Sequence, residues 1–109
     1  MTTTSAASPA PTVLASPDEL DLVAGQTVEL GRRIQEVGTA VAAVLREIPA
    51  ALPGSAAAAT APDTGTHLAD LLHAEGRALV SFGRALAESA AAYRANESRL
   101  AGLMQGSAP

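Results

Sequence analysis

Apolar residues recur through the first half of the chain at alternating spacings of three and four. The series is Leu20, Val23, Leu30, Ile34, Val37, Val41, Val44 and Ile48, with Thr27 its one polar member. This is the repeat of heptad positions a and d, the mark of a helix that packs lengthwise on another. A second series runs through Leu68, Leu72, Glu75, Leu79, Phe82, Leu86, Ser89, Tyr93, Asn96, Leu100 and Leu103. The pattern predicts two long helices, 16–48 and 67–104, and no strand.

Punctuation at the ends agrees with the periodicity. In "SPDEL", Ser16 can cap the first helix, Pro17 suits its first turn and Glu19 stands where a capping box needs an acid. Asp18, Glu19 and Asp21 put negative charge at the positive end of the helix dipole. Pro49 and Pro53-Gly54 are expected to end this helix, 49–66 to form a loop, and Thr66 to cap the second helix. Arg94 and Arg99 lie toward the second helix's C-terminal end, where positive charge is favourable, and Gly106 can stop it. Residues 1–15, rich in Thr, Ser, Ala and Pro, are expected to be disordered, and 106–109 to form a flexible tail. The expected domain, 16–105, is all-α.

Neither helix can bury its stripe alone, and the economical solution is an antiparallel two-helix hairpin. Its glycines carry a further message. Ala24, Gly31 and Gly38 occupy successive e positions of the first helix; Ala69, Gly76, Gly83 and Ala90 do so in the second. A glycine within a helix costs ~1 kcal/mol against alanine. Four in register therefore imply close approach of the two backbones. Alignment of Gly31 with Gly83 and Gly38 with Gly76 would set Ala24 against Ala90, Thr27 near Ser89, Glu19 near Arg99 and Tyr93 across from Val23. A slip of one heptad is the competing register. With Leu22, Val28, Leu71 and Val80 off the seam, such a hairpin is under-buried. A second hairpin would complete a four-helix bundle.

Composition narrows the function. The net charge is −4, with no lysine, which argues against nucleic acid and against anionic lipid as partners. No apolar run approaches the ~18 residues of a membrane span. The N-terminal stretch lacks the basic and apolar regions of a conventional secretory signal. The absence of cysteine removes disulfides and thiolate chemistry. His67, Asp70 and His73 spread around a helix at three-residue spacing and make a poor metal site; solvent-exposed residues near a helix start are the expected reading. Glu75 is expected at the seam's edge with its carboxylate in water. No catalytic constellation or cofactor loop is present, so no enzyme and no cofactor are expected.

The last motif is "AAAYRANESRL", in which Tyr93 and Glu97 are four residues apart on an alanine-rich helix. "ASPDEL" opening one helix and "GRALVSFGRALAESAAAYRANESRL" closing the other resemble, over roughly residues 12–104, small substrates of actinobacterial type VII (ESX) secretion. The closest likeness is to the EspC-like and PE-type helical hairpins. The resemblance implies that Tyr93 and Glu97 are part of an export signal. It also implies a heterodimer with another small helical protein, Trp-x-Gly-carrying or PPE-like, recognition by a secretion ATPase, and a secreted or cell-surface destination. The chain has no tryptophan and so lacks the Trp-x-Gly turn of many relatives. A self-associating cytoplasmic adaptor, and an interfacial helix protein that inserts at membranes, are the competing readings.

Overall fold

The computed structural model describes residues 16–106, and three helices account for nearly all of them: α1 (Pro17–Arg46), α2 (Ile48–Ala51) and α3 (Ala56–Gly106). The described residues contain no strand. The expectations for 1–15 and 107–109 lie outside the described residues. At 1.5 Å per residue α1 is about 45 Å long and α3 about 77 Å. The two run antiparallel as a hairpin, and no large side chain among the described residues is fully buried.

α1 begins where its sequence directs. The Ser16 hydroxyl accepts from the Glu19 amide at 3.1 Å, and Glu19 Oε1 accepts from the Ser16 amide at 2.8 Å. Both halves of the capping box are therefore made, and two otherwise orphaned amides are satisfied. Beyond Arg46 the chain turns at Glu47, makes the single turn α2 with Pro49 in its first positions, and reverses at Leu52–Ser55. Gly54 has φ +78°, the left-handed conformation that glycine adopts without a Cβ penalty.

The second helix starts eleven residues earlier than the sequence pattern predicts, at Ala56 rather than 67. Most of the expected loop 49–66 is thus helical, and Thr66 is an interior residue. The actual cap is Ser55, whose hydroxyl accepts from the Ala58 amide at 3.0 Å. Four consecutive alanines, the strongest helix formers, follow it directly. Pro62 lies within this helix. Its missing amide forfeits one bond in the second turn, but its own φ is helical. Packing supports that segment: Ala61 and Gly65 are buried, and a Cβ placed on Gly65 would lie 3.0 Å from Leu45 Cβ.

The helices meet along small residues. A Cβ on Gly31 would lie 2.5 Å from the Gly76 carbonyl oxygen, and one on Gly83 would lie 2.8 Å from that of Ala24. Gly38 faces Ala69, with 3.3 Å between such a Cβ and the Ala69 carbonyl oxygen. The expected pairing is therefore corrected by one heptad: Gly31 faces Gly76, not Gly83, and Ala24 faces Gly83, not Ala90. The observed pairs are symmetric about the Pro53–Gly54 peptide, so a tight turn there dictates the register. Glu19 serves Ser16 instead of meeting Arg99, and the Thr27 hydroxyl donates to its own helix at the Val23 carbonyl, 2.8 Å away.

Candidate functional site

Close contact along the e positions decides where every other side chain goes. Each residue advances the helix by about 100°, so the a line lies about 50° from e and the d line about twice as far. Centred on e, the pair leaves a half-buried and turns d outward. Ile34, Leu79 and Leu86, with Leu20, Val41 and Leu72, are half-buried. Leu30, Val37 and Phe82 are 49%, 51% and 57% exposed, and Val23, Val44 and Leu68 are exposed with them. The a/d series is therefore not the intramolecular seam that the periodicity predicted. The contact runs along its small-residue margin because glycine allows backbone to meet backbone there.

A dyad relates the two helices of an antiparallel pair, and it brings their matching flanks to one side. Both a/d series thus lie on one side of the hairpin and form its apolar face. The other side of the hairpin is polar. There, Ala24, Val28, Gly83 and Ala87 floor an open groove rimmed by Asp21, Arg32 and Arg84. Thr39 Oγ1 lies 3.1 Å from His73 Nε2, joining the helices farther along. Gln35 is half-buried, and its Cγ occupies the space over Gly76.

The hairpin ends at Ala90, which is fully buried, whereas every residue of 91–106 is exposed. α3 therefore overruns the start of α1 by sixteen residues. Arg94 ties down the junction with Nη2 2.8 Å from Asp18 Oδ1 and Nη1 2.6 Å from Asp21 Oδ2. The hydrogen bond that Arg94 donates to Asp18, then the one to Asp21, raises its pKa further above its already high ordinary value, so the guanidinium is charged at any accessible pH.

Tyr93 and Glu97 lie on this overhang, one turn apart on the same helix face. Tyr93 is half exposed, and neither side chain forms a hydrogen bond or ion pair among the described residues. Tyr93 does not lie across from Val23, since α1 has not begun at its level. Of the histidine group, His67 and Asp70 are exposed in the helix interior while His73 is half-buried against Thr39. Among the described residues no cluster of potential ligands could hold a metal ion, and no helix is long and apolar enough to cross a membrane.

Four buried residues escaped the sequence reading: Ala42, Ala61, Gly65 and Val80. The signal for Ala61 and Gly65 was present, because they continue the small-residue line of Ala69 backward at four-residue steps. Val80 fills the space that Gly31 leaves without a Cβ. No family model, curated protein or solved structure matches the chain.

Proposed function

We propose that the chain is a small substrate or export partner of an actinobacterial type VII secretion system. In this reading its apolar face pairs with a second helical hairpin to make a four-helix bundle. The Tyr93-x-x-x-Glu97 element is then read by the secretion ATPase. One observation carries the proposal: the hairpin leaves a face of Leu, Val and Phe exposed and, among the described residues, fully buries no large side chain. An apolar face of this extent marks an interaction surface. The exposure of Tyr93 and Glu97 on a helix that projects past the hairpin supports the second half. An aromatic anchor and an acceptor stand together there, clear of the bundle-forming face of α1.

The test is export itself. The protein should accumulate in culture filtrate of a host with a working type VII apparatus and remain in cells without one. Tyr93→Ala combined with Glu97→Ala should hold it in the cell, folded and still bound to its partner. Equal release with and without the apparatus would sink the proposal.

A further inference from the structure

On the two apolar lines between Leu20 and Ser89 there is one charged residue, Glu75. It stands on the d line between Leu68 and Phe82, is exposed, and makes no hydrogen bond or ion pair among the described residues. The face itself has no base to meet it. Arg33, on the margin of α1, pairs with Glu29 of its own helix, Nε to Oε2 3.5 Å. Thr27, also on the face, has its hydroxyl satisfied internally. Covering the face therefore strands one carboxylate and nothing else that is charged.

The height of Glu75 along the hairpin matters as much as its charge. It adjoins Gly76, which faces Gly31, and Gly31 is at the middle of α1 (Pro17–Arg46). Glu75 thus occupies the central layer of the paired region. A second copy that covered the whole face would be related by a dyad parallel or perpendicular to the helices. Either dyad returns the central layer to the central layer. Self-pairing therefore buries two like charges in one layer with no base between them, which disfavours it strongly. A different hairpin with an arginine or lysine at that height would turn the same acid into a buried, hydrogen-bonded ion pair.

We propose that Glu75 is the partner-selecting residue of the apolar face, excluding a second copy of this chain and admitting a helical hairpin with a basic residue in its central layer. A single polar group in an apolar seam is known to set partner choice in this way. The inference rests on the apolar face being a bundle interface.

Sedimentation of purified full-length chains tests it, with folding checked by circular dichroism. Glu75→Leu should self-associate at least tenfold more tightly than the wild type. Glu36→Leu, the same change on the outer edge of α1, should not. The charge-swapped Glu75→Arg chain serves as a basic partner of known shape. An equimolar mixture with the wild type should associate at least tenfold more tightly than either alone. A tight wild-type dimer, a mixture no tighter than its components, or indifference to Glu75→Leu would each overturn the selector. So would binding of every variant to phosphatidylcholine–phosphatidylglycerol vesicles without protein association, which would make the face a lipid-seeking one. Charge-blind pairing with normal type VII export would remove Glu75 alone. Charge-selective pairing without export dependence would remove the secretion reading and leave the selector standing.

Discussion

The two stretches of α3 have similar helical sequences and opposite surroundings. From Ala61 to Ala90 one side of the helix is pressed against α1, and its small residues are buried at nearly every turn. From 91 to 106 the same helix continues with no residue buried. Alanine, glycine and leucine occur in both, so composition does not distinguish them. What differs is a neighbour, and the neighbour is supplied by the length of α1. One rod is thereby divided in two: the paired stretch holds the fold, and the overhang stands outside it.

The sharpest way to break this contrast is the double variant Tyr93→Ala with Glu97→Ala. It should reduce export by an order of magnitude or more while leaving thermal unfolding of the hairpin unchanged, since no contact across the pair is lost. A fall in melting temperature together with export would mean that the overhang supports the fold. The reverse experiment is Gly76→Leu. Its Cβ would fall 2.5 Å from both the Gly31 carbonyl oxygen and Gln35 Cγ, so the helices must part. Overpacking of this kind costs about 1–3 kcal/mol, to be read from urea unfolding; wild-type stability would refute the close contact.

Hydrogen exchange sharpens the comparison without mutation. Amides of 69–90 should be protected at least ~100-fold more than those of 98–106, because the latter open without breaking the pair. Uniform protection along α3 would contradict this. Smaller still is the response to alanine at two open glycines, neither of which has an atom within 4 Å of an added Cβ. Gly25→Ala in α1 should stabilise the folded hairpin against unfolding by about 1 kcal/mol. Gly102→Ala should slow exchange in the overhang and leave the melting temperature where it was. The least effect is expected of Arg94→Ala, which loses two exposed ion pairs: a slight drop in melting temperature at low salt, vanishing at high salt.

Much of the architecture was readable because each part had a local cause. Ser16 and Glu19 form their capping box from four adjacent residues, and the glycines announce close contact by their cost. The register was not readable from the stripe. Small residues repeated every seven positions align as well after a slip of seven, so Gly31 fits Gly83 or Gly76 equally. The turn at Pro53-Gly54 breaks the tie, but only once the loop around it is known to be short. Turn formers and small residues through 49–66 suggest a loop, but four alanines behind the Ser55 cap make most of it helix. Outward rotation of Leu30, Val37 and Phe82 was hidden for another reason. Heptad periodicity identifies an apolar stripe, but it does not say whether the stripe's centre or its margin meets the nearest helix. The reading of Glu75 as exposed needed only its charge; its central height needed the register.

Pairing symmetric about Pro53–Gly54 also has a temporal side. Contacts next to the turn close loops of a few residues, whereas Arg94 and Asp18 are separated by 76. Closure entropy rises with the length still open, so each layer formed near the turn shortens the loop for the next. The hairpin should zip from Pro53–Gly54 outward and fray from Asp18 inward. On a ribosome, α1 emerges first and has nothing to pair with until α3 follows. The chain cannot complete its fold until Arg94 is clear of the exit tunnel, and Tyr93 and Glu97 emerge at that same moment.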